Sequence, residues 1–124
     1  MQAKKQDILL IDDDKSILSA LSMLLENWGY VVHCAESSEQ AIKALEKQQF
    51  ALIISDYRLP GAKNGLDLIK IAQQKQDIES VLLTGEVDPD KLQEGEFEHY
   101  KVLHKPIKPA ALRILIRQLL KAKM

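Results

Sequence analysis

The chain has 124 residues, 17 basic and 18 acidic, and a net charge of −1. That length fits one domain, residues 1–124, with room for a real core. The near-neutral balance has no long basic run to suit nucleic acid, and no apolar stretch nears the ~20 residues of a membrane span. Met1–Gln6 lacks the apolar core of a secretory leader, so the chain by itself is expected in the cytoplasm. Its one cysteine, Cys34, cannot form an internal disulfide and is expected as a buried thiol.

Asp7–Asp12 reads as a buried strand, an apolar run that stops at carboxylates. Lys15–Trp28 follows with Ile17, Leu21, Leu24, Leu25 and Trp28 at helix spacing, and Gly29 is placed to end that helix. Tyr30–Ala35 is rich in β-formers and reads as a second strand. Ser37 and Gln40 have the spacing of a capping box for a helix over Ser38–Gln48, with Ala41, Ala44 and Leu45 inward. Ala51–Asp56 is a third strand, again ending at a carboxylate. Tyr57–Asn64, with Pro60 and Gly61, is a loop. Gly65–Gln74 is a third helix and Glu79–Thr84 a fourth strand. Asp88–Glu98 is a weak helix that Pro89 can open and Gly95 weakens. Lys101–His104 is a short fifth strand. Pro109 suits the first turn of a last helix through Lys121, with Leu112, Leu115, Ile116 and Leu119 on one face.

Alternating strands and helices, with uniformly apolar strands, imply an α/β domain: a doubly wound parallel sheet with helices on both faces. Ligands of such folds bind beyond the carboxyl ends of the strands. Asp12, Asp13, Asp56, Thr84 and Lys105 all fall at or just past those ends. Unpaired buried carboxylates are costly, and three that converge repel one another unless a cation or protons hold them. The set points to a magnesium-dependent phosphoryl site.

These residues, in this order, resemble a response-regulator receiver domain of two-component phosphorelays. The resemblance rests on Asp12-Asp13 after strand one and on Asp56-Tyr57-Arg58-Leu59-Pro60 ahead of Asn64-Gly65. It rests equally on Thr84-Gly85 after strand four and Lys105-Pro106 after strand five. Each piece is common alone; all of them at the right strand ends, across essentially the whole chain, are specific. The resemblance implies a flavodoxin-like sheet in strand order 2-1-3-4-5. It implies Asp56 as acceptor of a phosphoryl group from phosphohistidine, a carboxylate being a competent covalent acceptor. It implies Mg²⁺ held by Asp13, Asp56 and the backbone carbonyl of Arg58, with Asp12 binding directly or through water. Lys105 would contact a phosphoryl oxygen as a point charge. Thr84 would give its hydroxyl to the phosphorylated state. The peptide before Pro106 is expected to be cis. The implied partner is a histidine kinase or a histidine phosphotransfer protein, with a phosphorylation-dependent homodimer allowed. The domain would not be an enzyme beyond assisting its own phosphorylation and dephosphorylation. Phosphorylation would switch the surface of the fourth helix, fifth strand and last helix.

Some positions depart from the family pattern. Many receivers carry an aromatic residue three positions before the strand-five lysine; here that residue is Val102, and Tyr100 would share its face. The loop Pro60–Gly65 is one residue longer than usual, and Gly85 stands where alanine is frequent. With His104-Lys105-Pro106-Ile107, these features look most like the C-terminal receiver of hybrid sensor histidine kinases. Arg58 and Glu86 would flank the route of the hydrolytic water, and their pairing would slow autodephosphorylation. Two rival classes remain. A haloacid-dehalogenase-type phosphatase normally has a second aspartate two residues after its nucleophile, yet Asp56 is followed by Tyr57-Arg58. A receiver-like binding module that takes no phosphoryl group usually lacks an acid or the lysine, and this chain keeps both. Asp14 reads as a helix N-cap. His33, His99 and His104 form no metal-ligand spacing. Trp28, Phe50 and Phe97 read as core or half-buried residues.

Overall fold

In the computed structural model, which describes residues 6–85 and 100–121, five parallel strands form one sheet. They are β1 (Asp7–Ile11), β2 (Val31–Ala35), β3 (Leu52–Asp56), β4 (Glu79–Thr84) and β5 (Lys101–His104). Their order is β2-β1-β3-β4-β5. The helices described are α1 (Lys15–Asn27), α2 (Ser38–Lys47), α3 (Gly65–Lys75) and α4 (Pro109–Lys121). The helix expected at Asp88–Glu98 lies outside the described residues, as do Glu86, Phe97 and His99.

The period-two alternation of the strands divides the core into two layers. Leu9 and Ile11 of β1, with Ile53 and Leu82, pack against α2 and α3 through Ala41, Leu45, Leu68, Ile69 and Ala72. Ile8 and Leu10, with Ile54 and Leu83, face α1 and α4 through Leu18, Leu25, Leu112, Ile116 and Leu120. A sheet covered on both faces needs apolar residues at both parities, which is why β1 and β3 read as continuous apolar runs. The edge strands β2 and β5 are less buried than the central ones. Cys34 is exposed, not buried as expected. It pairs with Leu10 in register, but β2 is the outermost strand.

Element ends follow local chemistry. Gly29 adopts φ 97°, and its N–H returns to the Glu26 carbonyl at 3.0 Å, closing α1. Such a φ is cheap only for glycine. Tyr30 and Ala51 precede their strands rather than begin them, Trp28 and Gln48 are C-caps rather than helical residues, and α3 runs on to Lys75. On α1 the buried pair is Leu18 and Leu25, while Ile17, Leu21, Leu24 and Trp28 are half-buried. The box expected at Ser37 is only half formed. Ser37 Oγ accepts from Gln40 N at 3.2 Å, but Gln40 Oε1 accepts from Glu36 N at 2.9 Å. A complete box opens α3 instead: Asn64 Oδ1 accepts from Asp67 N at 2.9 Å, and Asp67 Oδ2 accepts from Asn64 N at 3.0 Å.

At the amino edge, buried Gln76 ties three segments together. Its Oε1 accepts from Phe50 N at 2.9 Å. Its Nε2 donates to Leu45 O at 2.9 Å and Gln48 O at 2.7 Å. His33 lies 3.2 Å from Asp7 and edge-on to Phe50, a structural contact at the sheet's side. His104 is exposed.

Candidate functional site

All five strands run the same way, so their carboxyl ends meet at one edge. Asp12 follows β1, and Asp56 ends the neighbouring β3. One carboxylate oxygen from each of Asp12, Asp13 and Asp56 lies within 4.8 Å of the others. Asp12 and Asp56 are buried, at 2% and 7% exposure, while Asp13 is exposed. Lys105 follows β5, two strands from β3, and its Nζ reaches Asp56 Oδ1 at 3.0 Å and Asp12 Oδ2 at 3.9 Å. Thr84 ends β4 between them, buried, with its carbonyl accepting from Lys105 N at 2.8 Å. The Lys105–Pro106 peptide is cis, as the resemblance implied.

Asp12 is held by its own turn. Its Oδ1 accepts from Asp14 N at 2.9 Å, whereas buried Oδ2 has no hydrogen-bond partner among the described residues. Burial raises the Asp12 pKa above 3.8, and the nearby charges of Asp56 and Asp13 add to the rise; the Asp14 amide and Lys105 oppose it. Asp14 is the N-cap of α1 and accepts from Ser16 N and Ile17 N. The Ser16 hydroxyl, followed by those two amides, lowers its pKa. Asp12 and Asp14, two residues apart, thus diverge: Asp14 caps a helix, and Asp12 is buried with one oxygen not hydrogen-bonded.

Three carboxylates without nitrogen or sulfur suit a hard divalent cation. The orphaned Asp12 Oδ2 is what such an ion would satisfy. Of the other expected ligands, Arg58 lies on the loop after β3 with an exposed side chain. Its expected partner Glu86 lies outside the described residues. Tyr100 is buried in the layer that also holds Leu66, Leu68 and Leu82, and Val102 packs against that layer, so the two share a face.

Two neighbours of Asp56 carry no obvious sequence signal. Ser55 is fully buried, and its hydroxyl donates to the Asp56 carbonyl at 3.0 Å. Gly65 opens α3 against the same carbonyl, with its N–H donating to Tyr57 O at 2.7 Å. The Asn64-Gly65-Leu66-Asp67 spacing could have flagged the cap; nothing in it reports the close approach.

A doubly wound parallel sheet in this order, with carboxylates and a lysine gathered at its carboxyl edge, defines an α/β domain of the kind whose ligands bind at that edge. The chain belongs to the response regulator receiver domain family, whose model matches residues 8–117. It is 33% identical over 119 residues to the phosphoglycerate transport system transcriptional regulatory protein PgtA of Salmonella typhimurium, covering 92% of this chain and 28% of that protein. It is 29% identical over 118 residues to the DNA-binding response regulator MtrA of Mycobacterium tuberculosis, covering 94% and 51%. The chain thus spans about half or less of these relatives. Among solved structures, the signal receiver domain of an HD domain-containing protein from Pseudomonas fluorescens Pf-5 matches with TM-score 0.87 and 32% identity, over 98% of this chain and 91% of that one. A CheY-like receiver from Methanospirillum hungatei JF-1 matches with TM-score 0.88 and 25% identity, over 96% of each chain.

Proposed function

We propose that residues 1–124 form one receiver that accepts a phosphoryl group on Asp56 from a partner's phosphohistidine. The observation that carries this reading is Lys105 Nζ at 3.0 Å from Asp56 Oδ1, beside three carboxylates within 4.8 Å of one another. Asp56 supplies the nucleophilic oxygen. Lys105 pairs with the carboxylate before transfer and is placed to take up a phosphoryl oxygen after it. Thr84, at the adjacent strand end, is the hydroxyl that would hold the phosphorylated state. Asp12, Asp13, Asp56 and the Arg58 carbonyl would hold Mg²⁺. When bound, the ion neutralises charge on the phosphoryl oxygens.

The partner is a histidine kinase or a histidine phosphotransfer protein, and the setting is cytoplasmic. Phosphorylation shifts a two-state surface that includes β5 and α4 and changes partner affinity, homodimerisation included. Val102, the longer Pro60–Gly65 loop and Gly85, together with the His104-Lys105-Pro106-Ile107 run, support a place in a hybrid sensor histidine kinase.

The test is phosphoryl incorporation from acetyl phosphate, with and without Mg²⁺, on wild type and Asp56→Asn. Intact mass should rise by ~80 Da for one phosphoryl group in the wild type with Mg²⁺, and in neither other case. An unlabelled wild type that also ignores Mg²⁺ would leave a pure binding module.

A further inference from the structure

We infer that Gly65 is a positioning residue for Asp56. The first residue of α3 stands on the peptide that carries the carboxylate, and the domain needs a residue without a side chain there. Four observations carry this. A Cβ built on Gly65 overlaps the Asp56 carbonyl oxygen and comes within 2.9 Å of its carbon. The same Cβ meets Ser55 Oγ at 3.0 Å, and that hydroxyl already donates to the Asp56 carbonyl. Gly65 N donates to Tyr57 O at 2.7 Å, so helix and strand end are tied directly. The Asn64–Asp67 box fixes where α3 begins, so Gly65 is held as its first residue.

The reason for glycine here is space, not backbone angle. Among the described residues the positive-φ glycines are Gly29 and Gly61, whose added Cβ would meet nothing within 4 Å. At position 65 the two nearest atoms in the way are the Asp56 backbone carbonyl oxygen and carbon, which a rotamer change cannot clear. A methyl group must therefore push α3 and the end of β3 apart by roughly 1 Å, enough to cost a reaction that depends on alignment as much as 10²-fold. The carboxylate sits one residue from Ser55 and on the peptide that is pushed. Its 3.0 Å approach to Lys105 and its place beside Asp12 and Asp13 are what moves.

The inference rests on Asp56 being the phosphoacceptor, and the experiment separates the two. Gly65→Ala is compared with wild type and with Ile69→Val, a mild core change on the same helix that stays clear of Asp56. Without ion or donor, two-dimensional NMR should show amide shifts in Gly65→Ala concentrated at Ser55, Asp56 and Tyr57, and none there in Ile69→Val. With Mg²⁺ and acetyl phosphate, Gly65→Ala should label at least about tenfold more slowly than wild type, while Ile69→Val stays within about twofold. Unmoved amides at 55–57, or equal slowing in both variants, would overturn the positioning role. A wild type that takes no label would sink the phosphoacceptor reading and leave the amide shifts to decide the role of Gly65. If Gly65→Ala melts below the assay temperature, Ser55→Ala replaces it. That variant removes the hydroxyl wedged at the same contact and should shift the Asp56 and Tyr57 amides; unchanged amides would again overturn the inference.

Discussion

Lys105 and Asp56 are paired across an intervening strand: Nζ lies 3.0 Å from Oδ1, although β5 and β3 both border β4 and not each other. The lysine side chain reaches past the end of β4, where its own N–H donates to the Thr84 carbonyl at 2.8 Å. Any group that joins Asp56 therefore meets a cation already in place.

The pairing predicts opposite effects on ion and phosphoryl. An ammonium beside the acid cluster repels a divalent cation, so Lys105→Ala should bind Mg²⁺ more tightly than wild type. It should also accept the phosphoryl group more slowly, on the order of 10²-fold by comparison with losing one preorganised donor to a developing charge. Magnesium titration by NMR and timed labelling would check both. Weaker Mg²⁺ binding in the variant would contradict the electrostatic account.

Asp12 should trade stability for ion binding. Its pKa in the folded chain is raised above 3.8, chiefly by burial. The folded state therefore holds that proton more tightly than the unfolded chain, and ionisation of Asp12 works against folding. The cost is absent below the unfolded value and grows as pH rises through the raised folded value. In EDTA at pH 7, Asp12→Asn should melt higher than wild type, with the difference vanishing in acid. Its Mg²⁺ affinity should fall by more than the roughly 10–100-fold that partners outside the ligand shell usually cost.

Gln76 should matter to stability and not to phosphoryl transfer. Gln76→Ala strands the Phe50 amide and the Leu45 and Gln48 carbonyls at the amino edge, opposite the site. Leaving buried polar groups unsatisfied costs about 1–3 kcal/mol each, less whatever water recovers. Denaturant unfolding should show a loss of about 2–4 kcal/mol. The labelling rate of the folded variant should match wild type.

Cys34 should react in the native state. It is exposed on an edge strand, so a disulfide reagent should modify it without denaturant and at a rate close to that of the unfolded chain. A rate that follows global unfolding would show that the thiol is covered.

Much of this was legible in the chain itself. Apolar runs ending at Asp12 and Asp56 located two strand ends, because a buried strand cannot carry a bare carboxylate into its middle. Period and punctuation placed the remaining elements among the described residues within a residue or two: Gly29 after α1, Pro109 at the start of α4, and the alternation that demands a parallel sheet. The same reading failed where the answer lay with a distant residue. Cys34 looked buried because its neighbours are apolar, but exposure depends on β2 being an edge, which strand order decides.

Local pattern is short-ranged, and so determined which residues are helix or strand and which end of each strand bears charge. Only the folded chain brought Lys105 past the end of β4 to Asp56, since that contact joins segments 49 positions apart in sequence. Only the folded chain could show that Asp12 Oδ2 has no hydrogen-bond partner among the described residues, or that α3 stands on the Asp56 carbonyl and excludes a side chain at Gly65. Distances between remote segments are set by how layers pack, and close packing leaves no trace in the spacing of residues along one element.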